Sequence, residues 1–448
     1  MMFTKEELIK ATGAVVLRDE LKSDGNFEVS TDTRTIKSSD IYLPLKGASF
    51  DGEDFIDNAI IAGAKAYFTT KDYINENADF ILKVENTTNA YLDIAKYQRI
   101  KKNPKVVAIT GSSGKTTTKE IIYSVLSQHF RTHKTFSNHN NEIGFCQTVL
   151  SMPEDTEVLV VEMGMRGLGE IELISTHLIP DYAIITNSGS AHVGRLGSLD
   201  NIAIAKCEIT SGLKQEGVFI AKNQDIIKKH VNFEGEKIYY SIEDVEILEK
   251  SKSYTKFRYK DEEYVLNVEG DYNVENSLAA IELGLKMDVP PSEIKQGLLS
   301  YKPIEKRWEV ENVNGLQIIN DSYNANPESM KASVKTFVEL YKKPIVVLGN
   351  MGELGEDEVF YHSEVGSYIA DICKGKDVKF ITVGNLALNI AKVLADSGYK
   401  VNSFETNEQA SCYIVENLNA GYTIFLKASR SMKFEQIIEG IKRGIVSI

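Results

Sequence analysis

The chain has 448 residues, a formal net charge of −13 and an apolar fraction of 42%. At roughly 150 residues per domain this predicts three domains, and the acidic balance argues against a nucleic-acid or anionic-membrane surface. No apolar run reaches the ~20 residues of a membrane-spanning helix, the opening MMFTKEELIKATG has no signal-peptide core, and Cys146, Cys207, Cys373 and Cys412 form no CxxC pair, as expected of a reduced cytoplasmic protein.

In chain order, FEVSTDTRTI, DIYLPLKG and KAYFTT read as strands, and DGEDFIDNAIIAGA reads as an amphipathic helix. A helix is expected from about Thr88 to Ile100, closed by KKNP, because Pro104 cannot continue it and restricts Asn103. A first domain of residues 1–103 follows. From Val106 the runs VVAIT, EVLVVEM and DYAIIT are continuously apolar and each precedes a helical segment. That texture predicts a doubly wound α/β sheet with both faces buried, spanning 104–311. PIVVLGN, VKFITVG and YTIFLKAS alternate with helices such as ALNIAKVLADSG and predict a further α/β sheet over 312–448. No short-period repeat is present.

The strand VVAIT and the helix KTTTKEIIYSVLSQHF enclose Gly111, Ser112, Ser113, Gly114, Lys115, Thr116 and Thr117. The segment departs from the common phosphate-loop pattern, since Ile109 stands where the outer glycine is usual. Its working parts remain. Helix N-terminal amides favour an anion, the two glycines let the backbone curl, Lys115 can reach phosphates, and Thr116 can offer its hydroxyl to Mg²⁺. Glu162 at the end of EVLVVEM supplies a carboxylate for the same cation, or is only a polar strand end. His192 in TNSGSAHVGRLGS is a ligand or a surface group. In SLDNIAIAKCEITSGL, with Ser198 as N-cap and Asp200 in the first turn, Lys206 falls inside the apolar stripe of Ile202, Ile209 and Leu213. Either its stem is buried and its head snorkels to water, or its amine has taken up CO₂ to give a carbamate anion.

TGSSGKTTTKE, SNHNNEIGFCQTVL, EMGMRGLGEI, TNSGSAHVGRLGSLDNIAIAKCEI, GDYNVENSLAAI and DSYNANPESMKAS together resemble the motifs of the Mur ligases. DSYNANP and the early STDTRTIKSSDIYLPLKGASFDG resemble the branch that couples D-alanyl-D-alanine to a UDP-N-acetylmuramoyl-tripeptide. The resemblance runs from about Ser30 to Glu435. It implies three α/β domains: one for the UDP-sugar, a central phosphate-loop ATPase-like sheet, and a dinucleotide-fold-like domain that closes over the site. It implies ATP-dependent amide formation through an acyl phosphate, in the cytoplasm, by a monomer.

By the same resemblance Thr116 and Glu162 hold one Mg²⁺, and His192 with carbamylated Lys206 hold a second. Asn276 meets the adenine, Arg307 reaches the phosphates and Asp321 faces the ribose. Asn138, Asn140, Asn141 and Glu142 meet the muramoyl peptide, and Ser30, Asp32, Arg34, Lys46 and Asp51 meet UDP and sugar. Asn324, Asn326, Lys427, Ser429 and Arg430 receive the dipeptide, with His362 a further contact or a helix-start polar group. Asn350 and Ala428 depart from the aspartate and glycine often found at these places. Two alternatives stay open: a ligase of the same superfamily with another acceptor, and a phosphotransferase or nucleotide-gated binding module.

Overall fold

The structure, a computed structural model, describes residues 2–21, 25–47, 49–304, 306–313, 315–417 and 421–446. Among them the strands form four sheets. The central sheet is six-stranded and parallel throughout, with Lys105–Thr110 flanked by Tyr182–Ile185 on one side and Val158–Glu162 on the other. Side chains alternate between its faces. Val106 and Ala108 enter one core with Phe145, Leu159 and Ile202, while Val107 and Ile109 enter the other with Ile121, Val125 and Leu278. Two apolar faces explain the unbroken apolar runs in the sequence. Because every strand points the same way, the loops after Thr110, Glu162 and Ile185 emerge at one edge.

The first sheet orders Met2–Thr4, Asn26–Ser30, Asp40–Tyr42, Ala66–Thr69, Phe80–Lys83 and Val15–Asp19. Two expectations are corrected here. The strand in FEVSTDTRTI stops at Ser30, because Asp32 turns the chain by accepting from the Arg34 amide at 3.0 Å. DGEDFIDNAIIAGA is not one helix: a 3₁₀ turn, Gly52–Phe55, capped by Asp51, precedes a short helix Ile56–Ile61. The helix expected near Thr88–Ile100 runs Thr87–Lys102, with Asn86 as N-cap and left-handed Asn103 as its end. Its Arg99 donates to the Leu178 and Ile179 carbonyls and so ties the first region to the central one.

The last sheet orders Glu309–Val313, Leu316–Asn320, Thr423–Lys427, Pro344–Gly349, Lys379–Val383 and Val401–Phe404. Its antiparallel edge strand begins at Glu309, so the break expected at Asn312 falls inside that strand. A three-stranded antiparallel sheet, Glu246–Lys250, Thr255–Tyr259 and Glu262–Leu266, was not anticipated. Its second hairpin turns through Lys260 and Asp261, both at positive φ, without the Asn-Gly pair that usually marks such a turn.

His362 is fully buried rather than free for a ligand. Its Nε2 accepts from the Met351 amide at 2.9 Å and its Nδ1 lies 2.6 Å from the Glu358 carbonyl. This pairing uses the neutral ring as acceptor and donor at once, and burial holds its pKa below the ordinary value.

The phosphate-loop helix Lys115–Leu126 is set against the helix Pro291–Ser300 at Gly297, where an added Cβ would lie 2.4 Å from the Val125 Cα. Gly297→Ala is expected to cost about 1–3 kcal/mol through overpacking against backbone, read as a lower urea midpoint at unchanged slope. For His362, the unfolded chain takes up a proton near pH ~6.5 while the folded chain resists it. Its contribution is therefore complete above that pH and declines as pH falls toward the lowered native value. Urea midpoints at pH 7.5 and 5.5 should separate more in the wild type than in His362→Asn.

Candidate functional site

The edge where the central strands end opens into a cavity of about 1030 Å³. Its floor is the loop Gly111–Gly114. Gly111 has φ 156° and a Cβ there would lie 1.8 Å from Thr186 Oγ1; Gly114 has φ 77° and would meet Asn276 Oδ1 at 2.4 Å. Both positions therefore require glycine. Asn187 holds the loop by accepting from the Ser113 amide at 3.0 Å, and its carbonyl accepts from the Ser112 amide at 3.0 Å. Lys115 Nζ donates to the Gly111 carbonyl at 2.7 Å, and burial lowers its pKa. The amides of Lys115, Thr116 and Thr117 open the helix and have no intrahelical partner, which suits an anion. Ser112, Ser113, Thr117 and Asn276 line the same cavity.

Thr116 and Glu162, far apart in the chain, meet here. Thr116 Oγ1 donates to Glu162 Oε1 at 3.2 Å, and Asn140 Nδ2 donates to the same oxygen at 2.9 Å. Glu162 Oε2 has no hydrogen-bond donor although it is buried. Arg307, from beyond the central sheet, donates through Nη2 to Thr116 Oγ1 at 3.0 Å. Its guanidinium lies 4.2 Å from the centroid of the Tyr323 ring, and that of Arg430 lies 5.0 Å from the same ring. A hydroxyl and one carboxylate with a spare oxygen are hard donors that fit Mg²⁺, which keeps its remaining positions for water and phosphate. Among the described residues no group of three His, Cys, Asp or Glu gathers as a metal cage.

His192 has left-handed φ 69° and is engaged by Glu353. Its Nδ1 lies 2.6 Å from Glu353 Oε2, and Arg195 Nη2 lies 3.3 Å from Glu353 Oε1. The His192 pairing, first, holds the Glu353 carboxyl below its usual range. The Glu353 carbonyl also accepts from the Gly194 amide at 3.1 Å. There the two backbones touch: a Cβ on Gly194 would lie 2.3 Å from the Gly355 nitrogen. Glu328 enters nearby, accepting from the Ser190 amide at 2.9 Å and its hydroxyl at 3.1 Å. Lys206 is 1% exposed, so the snorkelling alternative does not hold. Burial, then the neighbouring Lys115 charge, pushes its amine pKa well down. Among the described residues no carboxylate stands within ion-pair distance of it.

The third region contributes fewer free groups than expected. Asp321 accepts from Lys427 Nζ at 2.6 Å and from Ser333 Oγ at 2.7 Å, and Lys427 also donates to the Asn324 carbonyl at 3.2 Å. Lys427 is thus a buried strut for the DSYNANP turn. Asn326 caps the helix Pro327–Leu340, and its Nδ2 donates to the Ser112 carbonyl at 3.3 Å, linking that turn to the glycine loop. Asn324, Ser429 and Arg430 line the cavity. Arg430 is exposed and reaches the mouth. Asn350 Oδ1 accepts from the Ala387 amide and its carbonyl from the Ser429 amide, both at 2.9 Å, so it holds two loops together. The Ala428 side chain is buried beside Gly349.

Asn138, Asn140 and Asn141 line the cavity; Asn141 also caps the helix Glu142–Leu150. Ser30, Asp32, Arg34, Lys46 and Asp51 do not line it. They sit in the first region, where Arg34 pairs with Asp32 at 2.7 Å and draws its pKa down to about 2, and Lys46 and Asp51 share a backbone bridge. The buried Tyr42, pushed up to about 12 by burial and by Asp32 and Asp51, donates to the Gly52 carbonyl and organises this separate cluster. Tyr323, Glu328 and Glu353 escaped sequence reading; the tyrosine stands inside DSYNANP, but only the fold shows two arginines on its ring.

Three family models match the chain: "Mur ligase family, catalytic domain" over residues 28–108, "Mur ligase middle domain" over 109–284, and "Mur ligase, glutamate ligase domain" over 306–430. The UDP-N-acetylmuramoyl-tripeptide–D-alanyl-D-alanine ligase of Bacillus subtilis (strain 168) is 37% identical, covering 97% of this chain and 96% of its own. The enzyme of that name from Haemophilus influenzae is 31% identical over 96% and 98%. A crystal structure of MurF from Acinetobacter baumannii superposes with a TM-score of 0.89 at 27% identity, covering 99% of each chain. The MurF ligase of Thermotoga maritima in complex with ADP gives 0.84 at 25%, over 94% and 98%. The chain belongs to the Mur ligase family.

Proposed function

We propose that this chain joins D-alanyl-D-alanine to the terminal carboxylate of UDP-N-acetylmuramoyl-tripeptide, consuming ATP, in the cytoplasmic synthesis of the peptidoglycan precursor. The relatives carrying that name match nearly the full length of the chain. The observation that carries the reading is the convergence of three segments on one cavity: the glycine loop, the asparagine segment 138–141 and the DSYNANP turn. One segment suits a triphosphate, one a peptide acid and one an incoming amine.

A carboxylate is a poor acyl donor because oxide is a poor leaving group. Its oxygen attacks the γ-phosphorus of ATP, the bond to the β-phosphate oxygen breaks, and ADP leaves. The amine of the dipeptide then attacks the acyl carbon; phosphate leaves and the nitrogen loses its proton. The chain's work is positioning and charge neutralisation. Lys115 and the helix amides receive the phosphates. Arg307, from the segment leading into the last sheet, brings a positive charge over Thr116. Asn276, beside Gly114, borders the place for the adenine, and Asp321, fixed by Lys427, borders the place for the ribose. Asn324, Ser429 and Arg430 face the dipeptide. The Ser30–Asp51 cluster takes the UDP end, at a distance from the chemistry.

Mg²⁺ fits between Thr116 and Glu162 and, when bound, supplies neutralising charge to the phosphate oxygens. A second Mg²⁺ would be held by His192 and a carbamylated Lys206, and would supply further positive charge beside the reacting carboxylate. Lys206 is buried and feels the Lys115 charge, and conversion to an anion removes that repulsion. The domain limits 1–103, 104–311 and 312–448 belong to this reading, the last of them falling inside the strand Glu309–Val313. The working unit in this scheme is a monomer.

In a coupled phosphate assay, release is expected to require both the muramoyl tripeptide and D-alanyl-D-alanine, with product mass confirming the amide. ATP hydrolysis indifferent to both would instead favour a nucleotide-gated module. Lys115→Ala is expected to lower turnover by roughly 10²–10³-fold or more while the circular dichroism is unchanged. Lys206→Ala should be inactive and partly restored by short carboxylic acids; wild-type turnover in that variant would reject the carbamate.

A further inference from the structure

Lys119 stands four residues after Lys115 on the phosphate-loop helix, and its side chain is 0% exposed. A lysine in a helix ordinarily keeps its ammonium in water, and burying that charge is costly without partners. Its Nζ donates to the Ser137 carbonyl at 3.1 Å and lies 3.4 Å from Glu120 Oε1 and 3.5 Å from Glu162 Oε2. Glu120 is also paired with Lys134, whose ammonium sits 3.9 Å from the centroid of the Tyr123 ring. The oxygen of Glu162 that Lys119 faces is the one without a hydrogen-bond donor.

The Ser137 end of this contact is equally specific. Ser137 adopts φ 51°, a left-handed conformation that a residue with a Cβ seldom takes up unless its surroundings hold it there. That twist begins the segment carrying Asn138, Asn140 and Asn141. Asn140 returns to Glu162 through its Nδ2, and its carbonyl accepts from the Gly164 amide at 2.7 Å. The asparagine segment is therefore fastened at both ends to the strand that ends in Glu162, once through Lys119 and once through Asn140.

We propose that Lys119 is a positioning residue for the acceptor. Its ammonium holds the strained turn at Ser137 and the Glu162 carboxylate at fixed spacing, so that the asparagine face meets the muramoyl peptide in register with the phosphate loop. This rests on the assignment of the asparagine segment to the acceptor given above.

The test uses the full-length protein saturated with Mg²⁺ and a non-hydrolysable ATP analogue, into which UDP-N-acetylmuramoyl-tripeptide is titrated by calorimetry. The analogue is also titrated alone. Lys119→Met is expected to weaken acceptor binding about tenfold or more, the loss of a hydrogen bond to a charged group, with the analogue's Kd changed less than about twofold. Lys119→Arg should fall between. In turnover, the acceptor KM should rise more than the KM for D-alanyl-D-alanine. Acceptor affinity equal to the wild type, or equal weakening of acceptor and analogue, overturns the proposal. If the methionine variant melts below the assay temperature, Lys119→Arg decides by the same comparison. Failure of the wild type itself to bind the tripeptide would overturn the acceptor assignment, and this inference with it.

Discussion

The hydroxyl of Thr116 is the junction on which the arrangement depends. One O–H can donate once and accept twice. Here it donates to Glu162 and accepts from Arg307, so a carboxylate from one strand end and a guanidinium from the segment leading into the last sheet are referred to a single atom. The atom is fixed because it sits in the first turn of a helix that begins directly after the loop Gly111–Gly114. Opposite charges of about one unit each then flank the place for the terminal phosphates. Thr116 and Glu162 are buried, and fields there are screened less than at a surface.

The parallel central sheet makes this junction possible. Six strands with both faces covered leave only their ends for chemistry, and same-direction strands put the Gly111 loop, Glu162 and the 186–196 segment on one edge. The last sheet is built on the same rule and presents the ends of Leu316–Asn320 and Thr423–Lys427 toward that edge. Two such edges face each other across the cavity. Polar contacts between them include Arg307 to Thr116, Asn326 to Ser112, Glu328 to Ser190, Glu353 to His192 and Tyr341 to Glu269, alongside apolar packing in which Val193 and Leu196 share a core with Met351 and Leu354.

The fold and the floor of the site were legible from sequence because they rest on repeated signals. VVAIT and EVLVVEM are apolar at every position, which only a doubly covered strand requires. Lys206 could be suspected because it interrupts an apolar stripe, and its burial follows from that position. Thr116 and Glu162 could be paired by chemistry alone. Other features were not legible, because a sequence shows donors and acceptors but not which of them meet. Asp321 and Lys427 each suit a ligand, yet their mutual attraction in a buried place takes both. Ser30 ends its strand through a side chain two residues ahead, and the Lys260–Asp261 turn adopts positive φ without glycine or asparagine. His362 spends both ring nitrogens on backbone. Lys119 looks like any solvated helix lysine until Ser137 and Glu162 are seen around it.

The meeting of Gly194 with Gly355 has an evolutionary and engineering consequence. Main chain lies against main chain there, and neither position has room for even a methyl group. A single carbon introduced at either would act as a wedge, holding the two lobes apart without touching any group that handles a substrate. The two glycines therefore form one inseparable unit: neither can vary alone, and the fit between the halves is set by the absence of side chains as much as by those present.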